Sequence, residues 1–118
     1  MKPPKYVYNA TIAVNVCQSV DRWQAATDTT TTVKGVNFQD AHDTALNKDN
    51  TEVSLRALVF IDSDYSTPHL DYWSLQKSSE TAGRPMTITY GGDLYEVLTV
   101  DRVDNQHGKL DHWELSLK

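Results

Sequence analysis

The chain reads as a mainly β, β-rich α+β fold: a small antiparallel β-barrel or sandwich with one short helix near 70–80 and a C-terminal three-stranded meander. Three observations carry this. Apolar residues alternate cleanly with polar ones from Tyr6 to Val16 and again from Val53 to Ile61, the period of half-buried strands. Asp outnumbers Glu by twelve to four and there are thirteen Thr, which favours turns and strands over helices. From Met86 to Lys118, runs rich in β-branched and aromatic residues are separated by breaks holding glycine with Asp or Asn, the pattern of a meander.

In chain order, Pro3 and Pro4 keep the first residues extended. Tyr6, Tyr8, Ala10, Ile12, Val14 and Val16 share one parity and predict a long strand with its even positions toward the core. Gln18 to Asp28 loses the alternation and reads as a loop with a helical turn pinning Trp23. Thr29 to Phe38 reads as a strand suited to an edge, because four consecutive threonines form strand well but specify neither face. Gln39 to Asn50 is polar and without period, a long loop of the kind that usually carries function. Thr51 to Ile61 is the most hydrophobic strand, with Val53, Leu55, Ala57, Val59 and Ile61 on one face and Leu58 and Phe60 beginning a second, so a central position is expected.

Asp62 to Pro68 is a turn. The helix is expected over Leu70 to Ser79, capped by Asp71 and stopped at Ala82-Gly83, with Leu70, Trp73 and either Lys77 or Tyr72 turned inward. In the closing meander, Tyr95, Val97, Trp113, Leu115 and Leu117 are the core candidates. At 118 residues the expectation is one β-barrel-like domain, 1–118.

The totals exclude several functions. A net charge of −5 and a pI near 5.2 oppose backbone-gripping nucleic-acid binding, which needs a basic face. A single cysteine, Cys17, rules out an internal disulfide and makes an intracellular setting the default. No apolar run approaches the roughly 20 residues of a spanning helix, and Met1 to Tyr6 lacks the apolar stretch of a signal peptide, so a chain made and kept in the cytoplasm, or released by lysis, is expected.

No constellation of reactive residues emerges, and no catalytic, cofactor-binding or metal-binding residue is assigned. Asp40, His42 and Asp43 cluster in the long loop, but metal sites need three or four ligands and none of His69, His107 or His112 stands at ligand spacing. Asp62, Asp64 and Asp71 fail the calcium-loop spacing and are better explained by turns and caps. No Gly-x-Ser-x-Gly occurs, and Cys17 continues a strand, where burial or edge placement is the simpler expectation. His112 reads as a surface cross-strand partner. Trp23, Trp73, Trp113 and the tyrosines read as core and subunit contacts, and an enzyme is not expected.

The closing pattern Met86-Thr-Ile-Thr-Tyr-Gly-Gly-Asp-Leu-Tyr-Glu-Val97, with Val100-Asp-Arg-Val103 and His107-Gly-Lys-Leu-Asp-His-Trp-Glu-Leu-Ser-Leu117, resembles the C-terminal half of small head–tail connector proteins. More narrowly, the chain is similar to the minor capsid proteins of tailed phages and prophages of Gram-positive bacteria. Met1-Lys-Pro-Pro-Lys-Tyr6, Val36-Asn-Phe-Gln39, Asn50-Thr-Glu-Val-Ser-Leu55 and Ala57-Leu-Val-Phe-Ile-Asp62 fit the same family, so the likeness spans nearly the whole chain. The resemblance implies a structural virion protein, a stopper or head-closure subunit built as a small β-barrel with a short helix. It implies a homo-oligomeric ring below the portal and adaptor, monomeric before it meets a portal template, with a tail-terminator protein beneath. Packaged DNA would lie nearby without sequence-specific binding, no membrane is involved, and the location is the virion after synthesis in the bacterial host cytoplasm. It carries over no catalytic residue and no cofactor.

The acidic balance and the long polar segments 18–28 and 39–50 suit a DNA conduit with projecting loops. On this reading the 42–50 loop orders on assembly. Two other readings stand beside it: a tail-terminator or tail-completion protein, and a non-viral ligand-binding β-barrel using its Trp and Tyr. The latter needs clustered, exposed aromatics, and burial of the three tryptophans in separate places would exclude it.

Overall fold

A computed structural model describes residues 5–20, 23, 26–40, 44–46 and 52–118. A 3-10 turn at Lys5–Val7 leads into β1 (Ala10–Val20), β2 (Ala26–Asp40), β3 (Thr44–Leu46), β4 (Glu52–Ser54) and β5 (Ala57–Asp62). Helix α1 (Tyr72–Ala82) follows, then β6 (Thr87–Tyr90), β7 (Asp93–Asp104) and β8 (Leu110–Leu117). Six strands close an antiparallel barrel in the order β1-β2-β5-β8-β7-β6, with β6 returning to β1 through Asn15–Thr87 and Ala13–Thr89. The fold class read from the sequence is the one observed.

Period-2 patterning explains the closure. Ala10, Ile12, Val14 and Val16 of β1 meet Ala57, Val59 and Ile61 of β5 and Trp113, Leu115 and Leu117 of β8 in one buried cluster, joined by Met86, Ile88, Tyr95 and Val97. All five core candidates of the meander are buried. Full pairing of neighbouring strands removes the sheet edges that an open sheet of this size would expose.

Parity changes where the ladder is irregular. In β2 the buried residues are Val33 and Val36, of opposite parity, because Gly35 lies between them at the register shift separating Thr11–Lys34 from Ala10–Val36. Gly35 has φ +75° and its neighbour space is filled by the Tyr65–Ser66 backbone, the geometry of a glycine bulge. The bulge turns β2 from β1, which it pairs over Ala26–Val36, onto β5, which it pairs over Val36–Asp40. A second shift between Val97 and Thr99 puts Val97 and Val100 on the same side of β7.

Several boundaries differ from the sequence reading. Gln18–Val20 and Ala26–Asp28 are not loop: they extend β1 and β2 as a hairpin, with Trp23 in its turn and 75% exposed. Backbone pairing sustains a ribbon whether or not the sequence alternates. Thr29–Phe38 is an edge only in its first half, since β5 covers the second. Within the 39–50 loop, Gln39 and Asp40 finish β2, and Thr44–Leu46 pairs with Glu52–Ser54. The strand expected over 51–61 is two strands, broken at Leu55 and Arg56. Tyr6 sits in the 3-10 turn and is exposed, so the strand begins later than its alternation suggests.

The helix runs two residues later at its start than expected. Asp71 is its N-cap, accepting from the Ser74 N–H at 3.3 Å, and Gly83 in the left-handed region closes it. Its deepest side chains are Tyr72 and Ser79; Leu70 packs at the margin, while Lys77 is exposed and Trp73 is half exposed.

Candidate functional site

Both barrel ends are stoppered by aromatics. At one end Phe38 stacks on Tyr90 at 4.0 Å between ring centres and meets Tyr95 edge-on at 5.3 Å. Arg56 lies over the Tyr95 ring at 4.4 Å, a cation–π contact that places a charge at the rim. At the other end Tyr72 and Trp73 both pack edge-to-face on Trp113, at 5.7 and 5.5 Å, and the Trp73 indole N–H donates to the Val100 carbonyl at 2.9 Å. With Ile12, Val14, Val59, Ile88 and Leu115 filling the space between, the interior is a packed core and not a calyx.

A cavity of about 20 Å³ opens beside Tyr72, lined among others by Asp62, Ser66, Leu70 and Trp113. That is room for one water and no organic ligand. The Tyr72 hydroxyl is buried without a hydrogen-bond partner among the described residues, and burial pushes its pKa upward.

Some of the titratable residues singled out in the sequence have structural employment. Asp62 is 2% exposed, and its Oδ2 accepts from the Asp64 and Tyr65 amides at 2.7 and 3.0 Å, shaping the turn. Asp71 caps the helix. Cys17 is buried and its amide donates to Ser79 Oγ at 2.9 Å, which in turn donates to the Arg84 carbonyl at 2.9 Å. His69 and His107 are exposed and stand apart from each other. Asp40 is exposed at the end of β2; His42 and Asp43 lie outside the described residues. Among the described residues no group of three His, Cys, Asp or Glu side chains is placed to hold a metal.

Among the described residues, His112 has a setting built from two carboxylates. Nδ1 lies 2.7 Å from Asp111 Oδ2 and Nε2 lies 2.9 Å from Glu114 Oε1, so the doubly protonated ring satisfies both carboxylates. Partial burial lowers its pKa, but the hydrogen bonds to Glu114 and Asp111 and the charges behind them outweigh this and hold it above 6.5. Both carboxylates are spent on the ring, so this is a surface clasp between neighbours on β8 and not a general base.

Among the described residues, two ribbons stand apart from the six-stranded closure. Beyond Asn15, the last β1 residue paired with β6, Val16–Val20 continues with Ala26–Thr29 as an arm of about 17 Å at 3.3 Å per residue. The β3–β4 ribbon lies in the connection that leaves the other end of β2. The arm's turn carries Trp23, among the most exposed large hydrophobic residues described. Sequence reasoning missed Ser79, Gly35 and Arg56. Only Gly35 had a signal, an isolated glycine inside a strand pattern.

The three tryptophans are neither all buried nor all separate: Trp113 is buried, Trp73 packs on it half exposed, and Trp23 stands at the arm's turn. The filled interior, and not their burial, is what argues against a lumenal ligand. Comparison with known proteins returned no match among family models, curated proteins or solved structures.

Proposed function

We propose that the chain is a structural subunit of a phage head–tail connector, a stopper or head-closure ring protein that helps retain packaged DNA and offers the docking surface for the tail. The observation that carries the reading is architectural. A rigid, filled barrel extends two β-ribbons from opposite ends of β2, which suits a subunit that meets one partner above and another below. The sequence likeness to minor capsid proteins points the same way. The net charge of −5 suits a wall past which DNA must slide without adhering. In this role the partners are further copies of the chain, the portal or adaptor, and a tail-terminator protein, and the location is the virion.

Electron microscopy of particles assembled without the protein tests it. Filled heads that lose their DNA and bear no tails are expected. Tails of uncontrolled length would replace the stopper with a tail terminator, and normal infectious particles would remove the protein from the virion altogether.

A further inference from the structure

The strand order closes, but the first half of β2 is open on its outer side, from the arm into the barrel wall. The Cys17 amide donates to Ser79 Oγ, on the side of β1 away from β2. In an antiparallel pair both members of such a position turn their backbone groups outward, so its partner Asp28 does the same on β2. The register is unbroken from Cys17–Asp28 to Thr11–Lys34, so alternation turns the N–H and C=O of Asp28, Thr30, Thr32 and Lys34 to the outer edge. Lys34 confirms it: its amide donates to the Thr67 carbonyl at 2.8 Å and its carbonyl accepts from the Thr67 amide at 3.0 Å. Among the described residues nothing hydrogen-bonds the backbone of Asp28, Thr30 or Thr32 on that side. The two outer edges of the β1–β2 pair are thus treated differently. On β1, β6 and Ser79 cover the outward groups; on β2, a run of threonines, exposed at Thr29, Thr30 and Thr32 and without lysine or proline, leaves them open.

We propose that two copies of the chain join through this edge, pairing Asp28–Thr32 antiparallel about Thr30. The segment is compatible with a second copy of itself, and its single charge fixes the register. Thr30 faces its mate, Thr29 faces Thr31, and Asp28 faces Thr32, so the only charge in the segment meets a hydroxyl donor and the two carboxylates sit at opposite ends of the contact. A register centred on Asp28 would set those carboxylates face to face. Three residue pairs, 28–32, 30–30 and 32–28, each exchange two backbone hydrogen bonds. The contact ends where Thr67 occupies Lys34. Pairing about a two-fold axis is isologous and does not propagate round a cyclic ring, so it belongs to the subunit in solution and does not depend on the proposed virion role.

Two measurements on the full chain test it. Hydrogen exchange of the Asp28, Thr30 and Thr32 amides is expected to slow as protein concentration rises from micromolar to millimolar, while neighbouring Thr29 and Thr31 stay unchanged. Rates independent of concentration, fast or slow, overturn the proposal. Thr30→Cys places two thiols across the two-fold axis at a separation a disulfide spans. It should oxidise to a covalent dimer about tenfold faster than Gln106→Cys in the exposed β7–β8 turn, through the raised local concentration. Equal rates overturn it, as does a dimer whose amides at these positions remain open. Protection appearing only when an unrelated extended peptide is added would assign the edge to another partner and reject the second copy.

Discussion

Gly35→Ala should be the most damaging single-methyl change in the molecule, and its size can be worked from the structure. A Cβ at Gly35 would overlap the Tyr65 carbonyl oxygen, lie 3.1 Å from the carbon behind it and 3.4 Å from Ser66 Cα. These are backbone atoms, so no rotamer change relieves the contact. The φ of +75° adds about 1–2 kcal/mol for any L side chain. Moving the Asp62–Ser66 turn away endangers the Ser66 Oγ bond to the Gly35 carbonyl and the paired Lys34–Thr67 bonds. At about 1 kcal/mol net for each bond, the total comes to roughly 3–5 kcal/mol. Set against a typical stability of about 5–15 kcal/mol, this leaves a marginal protein whose Tm falls by roughly 10–20 °C. Gly108→Ala is the control: φ is +74°, but nothing lies within 4 Å of the added methyl, so only the strain of about 1–2 kcal/mol remains. Urea unfolding followed by tryptophan fluorescence reads both, with unchanged m expected. If the two variants lose the same stability, the bulge does not lock the turn and the reasoning fails.

Other outcomes can be checked with the same assay. Ser79→Ala should cost about 1–3 kcal/mol, because it strips the acceptor from the Cys17 amide and the donor from the Arg84 carbonyl. Tyr72→Phe, on the same helix, should be neutral or stabilising by up to about 1 kcal/mol, since the lost hydroxyl has no hydrogen-bond partner; a loss beyond that would reveal one. His112 has a folded-state pKa above its unfolded 6.5. Its contribution is therefore full below pH 6.5 and disappears as pH rises through the folded-state value. His112→Gln should flatten the stability profile across that window, and an unchanged profile would show that the clasp with Asp111 and Glu114 does not hold a proton. Trp23→Ser should change stability by less than about 1 kcal/mol yet block head–tail joining if the arm's turn is a partner contact; normal virion yield would assign that contact elsewhere.

Legibility followed burial. Tyr95, Val97, Trp113, Leu115 and Leu117 were readable because one face of each strand meets the core, which forces alternation into the sequence. The helix was readable from Asp71 and Gly83, whose capping chemistry is local. The arm was not: Gln18–Val20 and Ala26–Asp28 carry no apolar alternation, while their pairing is a matter of backbone register. Val33 and Val36 share the core only through the bulge at Gly35, so period-2 counting through that point assigns the wrong face to one half of β2.

The same division bears on where activity can reside. A closed barrel satisfies its own strands, and here the interior is filled from Phe38 at one end to Trp113 at the other. Among the described residues, Asp62 shapes a turn, Asp71 caps the helix and His112 is clasped by Asp111 and Glu114. Surface and backbone outside the core remain open to recognition. The β1–β2 pair offers both, an open edge at Asp28, Thr30 and Thr32 and an exposed indole at its turn, with Ser79 bonded to the Cys17 amide of β1. Loosening that support should alter association without touching a contact residue. Ser79→Ala, examined at temperatures where the barrel stays folded, should weaken pairing through the arm as it frees β1 from the helix; pairing of undiminished strength would mean that the arm is held by its own ladder alone.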